Sequence, residues 1–315
     1  MFLRLLCAIL ILFSSIAKAE KPTVLLHASF DITRELFKEI NAAFIKQYEP
    51  NLKIRQSHGG SGKQTSSIIH GLPADIASLA LSYHMDLLAE KDLVASNWRE
   101  LFPNQASPFT TSIVFLVPIN NPKQIKDWPD LVRPEIKVVT ANPKTSGGAL
   151  WNYVAAWIYA SKTFNDDQLK IEDYMRKLYH NAPVLDSTAR AAAVTFLKRH
   201  IGDVLITWAN EAEYIIAHLD PNYEIIVPSI SVKIDIPVAV VTRKTNKNKQ
   251  EIAKKYIEFL FSEQGQQIAT KYYYQGYKTP HAKNAKIVNV EDYIDWKDLK
   301  KKHFGENGIF EQIYR

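Results

Sequence analysis

Residues 57–65, with the sequence SHGGSGKQT, combine glycines and hydroxyl side chains in a pattern suited to holding an anion. Glycines let the backbone come close to a ligand. The N–H groups that follow are the unpaired first ones of a predicted helix, where negative charge is favoured. Ser61 adds a hydroxyl donor. The segment therefore predicts either an anion-binding loop or an ordinary glycine-rich turn between a strand and a helix.

Two catalytic interpretations of this segment do not fit its residues. A Walker A loop requires G-x-x-x-x-G-K-[ST], but Ser57 stands at the first glycine and Gln64 follows Lys63. A nucleophile elbow requires G-x-S-x-G, and Lys63 occupies its last position. The segment supports neither nucleotide hydrolysis nor acyl transfer.

The same construction, a strand followed by a turn of small residues and a helix, recurs along the chain. It occurs at residues 59–62, 146–148 and 187–189. Asp31 lies at a fourth junction, where its position also predicts a simple helix cap. In open α/β sheets such loops gather at the carboxyl ends of the strands, where ligands bind. If two lobes face each other, several helix N-termini would converge on one small anion.

Strands that alternate with helices indicate an α/β protein with mainly parallel sheets. The first series begins with a strand at residues 23–28 and a helix at residues 32–48. A second series begins after the break at residues 120–122, and later strands are predicted at residues 225–227 and 238–241. The pattern predicts two βα lobes.

The first 19 residues have the pattern of a cleavable signal peptide. Arg4 gives a positive start, residues 5–13 form an apolar core, and an AKA cleavage site ends at Ala19. The apolar run is shorter than the ~18–20 residues that a membrane anchor needs. We therefore expect cleavage before Glu20 and export of the protein.

The composition argues against disulfide bonds, nucleic-acid binding, metal binding and catalysis. The only cysteine is Cys7, within the signal peptide, so the exported chain must be held together by its core. The net charge of +6 includes Arg4 and Lys18, and the modest remainder gives little support to nucleic-acid binding. The nine histidines have no metal-ligand spacing, and no hydrolase-like carboxylate pair is visible. We expect no metal, no cofactor and no catalysis.

Four segments together are similar to signatures of the periplasmic sulfate-binding proteins. They are residues 30–35 (FDITRE), 57–64 (SHGGSGKQ), 142–149 (NPKTSGGA) and 201–205 (IGDVL). The similarity continues to residues 304–313 and so covers essentially the whole exported chain. Because the segments occur in the order typical of that family, the chain resembles one of its members.

The resemblance implies the type II periplasmic-binding-protein fold, in which crossover strands join two lobes around a buried ligand. Lobe I is then predicted at residues 20–110 and 232–315, and lobe II at residues 111–231. The implied function is that of a monomeric periplasmic receptor that passes sulfate to an inner-membrane ABC permease. Thiosulfate or another tetrahedral oxyanion is the alternative ligand. An exported ester hydrolase is the alternative activity.

The resemblance also implies that the anion is bound entirely by N–H and O–H donors. Ser61 would give its hydroxyl and backbone N–H, and Trp208 its indole N–H. The other implied ligands supply backbone or hydroxyl donors: Asp31, Ser146, Gly147, Gly148 and Ala189. Leu150 replaces a common arginine, and Thr188 and Ala191 replace glycines, which puts the path of the third loop and the Ala189 contact in question.

A site made only of hydrogen-bond donors should bind sulfate in preference to phosphate. Sulfate is fully ionised at neutral pH and only accepts hydrogen bonds, so N–H and O–H donors can satisfy it completely. Phosphate keeps a proton, and leaving that proton against a donor costs about 1–3 kcal/mol. The residues therefore predict selection against phosphate, unless the Asp31 carboxylate points into the cleft and accepts that proton.

Overall fold

The computed structural model describes residues 22–48, 51–242, 246–278 and 286–314. The predicted signal peptide lies outside these ranges. Among the helices described, none has both the length and the apolar character that crossing a bilayer requires.

The described residues form short strands and helices that alternate through most of the chain. The strands are β1 Thr23–Phe30, β2 Leu52–Gly59, β3 Ile76–Ser78, β4 Phe109–Pro118, β5 Val138–Ala141, β6 Leu185–Asp186, β7 Val204–Trp208, β8 Tyr223–Ile226, β9 Ile230–Ile236, β10 Val238–Val240, β11 Gln275–Gly276 and β12 Lys286–Val288. The helices are α1 Arg34–Tyr48, α2 Ser61–Ile69, α3 Ser82–Ala89, α4 Pro103–Ala106, α5 Gly147–Thr163, α6 Gln168–His180, α7 Ala189–Arg199, α8 Ala209–His218, α9 Lys247–Leu260, α10 Glu263–Lys271, α11 Trp296–Phe304 and α12 Ile309–Tyr314.

The first sheet has four strands in the order β10-β3-β1-β2. β1 pairs in parallel with β2 and β3, while β10 joins β3 antiparallel. Phe30 lies opposite Gly59, so β1 and β2 end at the same edge. α1 packs on this sheet because Leu36, Ile40 and Phe44 recur on one face of the helix, and all three are buried.

The second sheet has the order β12-β9-β4-β7-β5-β6, and β8 and β11 also pair with β4. β4 is antiparallel to β7 and β9, whereas β5 is parallel to β6 and β7. α5 lies in the core, with every residue from Leu150 to Ala160 buried. The chain passes from the second sheet to the first at Pro237, between β9 and β10. The two sheets are thus joined through adjacent strands.

Residues 286–314, which we predicted in lobe I, pack with the second sheet. β12 pairs in parallel with β9, and the ring of Tyr153 in α5 lies 4.9 Å from Phe304 and 5.9 Å from Phe310 between ring centres. The Tyr153 hydroxyl is also 2.8 Å from His303 Nδ1. Burial of these large aromatic rings holds the C-terminal segment against α5. The lobe boundaries stay a prediction.

Candidate anion-binding site

Three helices begin next to one another, each after a strand and a short turn. α2 begins at Ser61 after β2, α5 at Gly147 after β5, and α7 at Ala189 after β6. A Cβ built on Gly147 would stand 2.9 Å from the Ser61 Cβ, and one built on Gly148 would stand 3.4 Å from the Ala189 Cβ. The N-termini of helices that follow strands of both sheets therefore meet. Their positive dipole ends all favour negative charge in the same small space.

Ser61 is buried at the start of α2, and its hydroxyl has two protein partners. The Ala80 N–H donates to Ser61 Oγ at 3.0 Å, and His84 Nδ1 lies 3.0 Å from the same oxygen. Burial, and secondarily the charge of Lys300, lowers the pKa of His84 to about 3, so the imidazole is neutral at physiological pH. Neutral groups therefore hold the Ser61 side chain in place.

Ser146 caps α5 and leaves several donors beside it. Its Oγ accepts from the Ala149 N–H at 3.3 Å, which leaves the hydroxyl hydrogen for another acceptor. Gly147 and Gly148 occupy the first two helical positions, whose N–H groups have no partner within a helix. In the part of the chain that the structure describes, no other group accepts from these two N–H groups. The start of α5 can therefore present up to three donors to an anion.

The third turn differs in sequence from the family pattern but still begins a helix at Ala189. Thr188 caps α7, with its Oγ1 accepting from the Ala191 N–H at 3.2 Å. Thr188 has a φ of −141°, an extended conformation that does not require glycine. Asp31 Oδ2 accepts from the Arg190 N–H at 3.1 Å. Within residues 22–314 as described, this leaves the Ala189 N–H without a protein acceptor.

Trp208 ends β7 and supplies a buried donor. Its side chain is only 2% exposed, its ring packs against Phe30, and its Nε1 has no hydrogen-bond partner among the described residues. The ring lines a small cavity together with Gly148 and Ala189. A buried N–H without an acceptor costs about 1–3 kcal/mol. This indole is therefore suited to a ligand that accepts hydrogen bonds.

Two basic side chains near these turns, Arg190 and Lys144, form ion pairs with carboxylates. The Arg190 guanidinium lies 3.3 Å from the carboxylates of both Glu35 and Glu211, and Lys144 pairs with Glu311. Burial raises the pKa of Glu211 to about 7, against the opposing charge of Arg190. The residues that line the cavity at Trp208 carry no charged side chain. The donors that meet at the helix starts are therefore neutral.

The structure brings most of the predicted site residues together. The helix starts and the cavity contain Ser61, Ser146, Gly147, Gly148, Ala189 and Trp208. Asp31 lies beside them, with its carboxylate bonded to the Arg190 N–H. That these residues bind a ligand stays a prediction. Neither Ala80 nor His84 was predicted from the sequence, because a backbone N–H and a single histidine belong to no motif.

Comparisons with known proteins match this architecture. Residues 25–275 match the family model described as bacterial extracellular solute-binding protein. The chain is 44% identical over 307 residues to the sulfate-binding protein of Escherichia coli, covering 93% of each chain. It is 40% identical over 314 residues to the thiosulfate-binding protein of Pseudomonas aeruginosa, covering 95% of this chain and 93% of that protein.

Among solved structures, the sulfate-binding protein SubI of Mycobacterium tuberculosis is similar with a TM-score of 0.80 and 24% identity. The similarity covers 88% of this chain and 98% of SubI. This likeness confirms the predicted fold class, an α/β protein of the type II periplasmic-binding-protein fold with mixed sheets. The sequence similarity confirms the resemblance indicated by the four motifs. The chain belongs to the bacterial extracellular solute-binding protein family, together with these sulfate-binding and thiosulfate-binding relatives.

Proposed function

We propose that this protein is an exported receptor that captures sulfate between two lobes and delivers it to a membrane ABC permease. The observation that carries the proposal is the meeting of three helix starts, at Ser61, Gly147 and Ala189, beside the unpaired indole N–H of Trp208. The name of the 44% identical relative, a sulfate-binding protein, supports the same ligand.

The chemistry of the helix starts fits a dianion that only accepts hydrogen bonds. Each N–H or O–H donor would make a charge-assisted bond, worth about 1.5–3 kcal/mol. The helix backbone fixes these donors before the anion arrives, so little ordering is required on binding. The dianion is then held without a lysine or arginine side chain in contact with it.

The proposed selectivity against phosphate depends on the absence of a free acceptor in the site. The Asp31 carboxylate lies beside the start of α7, where its Oδ2 accepts from the Arg190 N–H at 3.1 Å. The proposal requires that this carboxylate stay on the Arg190 N–H and not turn toward the anion, so that a phosphate proton meets donors only. Thiosulfate has no such proton and remains the second candidate ligand, which the 40% identical thiosulfate-binding relative favours.

We propose that lobe I, predicted at residues 20–110 and 232–315, closes on lobe II, residues 111–231. Residues 286–314, which pack with the second sheet, would then move with lobe II. Among the described residues, Arg190 of α7 contacts the junction between β1 and α1. Its guanidinium pairs with Glu35 at 3.3 Å, and its N–H donates to Asp31. Sulfate can drive closure only by binding the closed form more tightly than the open one.

The proposed cellular setting follows from the leader sequence and the family. A cleavable signal peptide supports a periplasmic location, and an extracellular solute-binding family supports an ABC permease as the partner. We propose that the receptor acts as a monomer, since one chain supplies all the helix starts of the site.

Isothermal titration calorimetry of the purified exported protein with sulfate, thiosulfate, phosphate and molybdate tests the proposal. We expect one sulfate bound per chain, with phosphate about 5–150-fold weaker because of its misplaced proton. A protein that ignores sulfate would contradict the proposed function. Chromogenic sulfate and phosphate esters test the hydrolase alternative, which gains support only if turnover occurs and Ser61→Ala abolishes it.

A further inference from the structure

The hydroxyl of Ser61 is held by a residue that lies outside every recognised motif. His84 belongs to α3, is buried, and places its Nδ1 3.0 Å from Ser61 Oγ. The Ala80 N–H donates to the same oxygen at 3.0 Å. A serine hydroxyl has one hydrogen and two acceptor lone pairs. The direction of its hydrogen therefore depends on whether His84 donates or accepts.

We propose that His84 is a positioning residue for sulfate binding: its Nδ1–H donates to Ser61 Oγ and so directs the Ser61 hydrogen at the bound anion. With the Ala80 N–H as the second donor, both lone pairs of the hydroxyl are occupied. The hydrogen is then left for an acceptor in the cleft. This inference rests on the proposed sulfate-binding function.

The surroundings of the imidazole favour this tautomer. Its Nε2 faces Gly62 and a pocket that is also lined by Lys144 and Lys300. The positive charge of Lys300, which lines this pocket, favours a lone pair on Nε2 over an N–H. A neutral imidazole carries one hydrogen, so that hydrogen belongs on Nδ1. In the opposite tautomer, Nδ1 would draw the Ser61 hydrogen away and turn an oxygen lone pair toward the anion.

A double-mutant cycle on the exported protein tests the inference, with sulfate affinity measured by calorimetry. We expect His84→Leu to weaken sulfate binding about 3–10-fold in the wild-type background and to have little effect in a Ser61→Ala background. His84→Asn keeps a donor near the Nδ1 position, and we expect it to retain affinity within about threefold of the wild type. An unchanged affinity of His84→Leu, or an equal loss in both backgrounds, would overturn the inference.

A measurement on the unaltered protein covers the case in which His84→Leu does not fold. Imidazole ¹⁵N chemical shifts of the sulfate-bound protein report which nitrogen carries the hydrogen, and we expect Nδ1. Protonation on Nε2 would overturn the inference whatever the variants do. A wild-type protein that binds no sulfate would overturn the proposed function as well, whereas sulfate binding without coupling between His84 and Ser61 would overturn this inference alone.

Discussion

Gly147 lies so close to Ser61 that a Cβ built on the glycine would stand 2.9 Å from the serine Cβ. The same Cβ would be 2.9 Å from the Ala80 Cβ and 2.8 Å from Leu81 Cδ1. Only a residue without a side chain lets the start of α5 rest against the start of α2. The meeting of donors from the two sheets therefore depends on this glycine.

We expect Gly147→Ala to weaken sulfate binding about 5–150-fold, because the added methyl group overpacks the contact by about 1–3 kcal/mol. Gly62→Ala is the matched control, since a Cβ there would lie at an ordinary 3.6 Å from His84 Nε2. Calorimetric titration of both variants with sulfate checks the prediction. Equal affinities for the two variants would show that the close contact is not part of the bound state.

Ser61→Ala removes the one side-chain hydroxyl at the start of α2. We expect sulfate binding to weaken about 10–150-fold, which corresponds to a lost hydrogen bond of about 1.5–3 kcal/mol to a charged group. Ser66→Ala, in the same helix but exposed, should leave the affinity unchanged. If the Ser61 variant binds sulfate as tightly as the wild type, Ser61 is not a ligand.

Trp208→Phe keeps an aromatic ring against Phe30 but removes the unpaired indole N–H together with part of the bicyclic ring. We expect the sulfate affinity to fall about 10–150-fold, because a donor to the anion is lost, while the melting temperature of the ligand-free protein barely changes. Trp157→Phe, in α5 and packed on His303, serves as the control and should bind like the wild type. A Trp208 variant with wild-type affinity would remove the indole from the site.

His27 should make the protein less stable as the pH falls. Burial, and secondarily the nearby His58, lowers the pKa of His27 to about 3. The unfolded chain therefore takes up a proton below pH ~6.5 while the folded protein does not, and stability is lost by about 1.4 kcal/mol per pH unit until the folded pKa is reached.

Between pH 5.5 and pH 4, we expect the unfolding free energy of His27→Gln to fall less steeply than that of the wild type. The two slopes should differ by about 1.4 kcal/mol per pH unit. Denaturant unfolding at several pH values measures it, with His70→Gln at the exposed end of α2 as the control. An unchanged pH dependence in the His27 variant would contradict the buried, neutral state of this histidine.

The sequence predicted the turns of the site well because their chemistry is local. Ser61 and Gly147 begin helices shortly after strands, and both features can be recognised from neighbouring residues alone. The contact of His84 with Ser61 could not be predicted in this way. It joins residues 23 positions apart in the chain, on two different helices, and only the packing of α3 against α2 creates it.

Strand β9 was not predicted for a different reason, which is local to its own sequence. Lys233 and Asp235 interrupt its apolar residues, and we predicted strands only on either side of it. In the structure the two charged side chains pair at 2.9 Å, while Val232, Ile234 and Ile236 are buried on the opposite face. The placement of residues 286–314 also depends on contacts distant in sequence, such as Tyr153 with Phe304.

The most direct measurement is a crystal structure of the protein with sulfate bound. We predict that every hydrogen bond to the dianion comes from a backbone N–H, a serine hydroxyl or the Trp208 indole. A lysine or arginine side chain in direct contact with the sulfate, or a carboxylate turned toward it, would contradict the account.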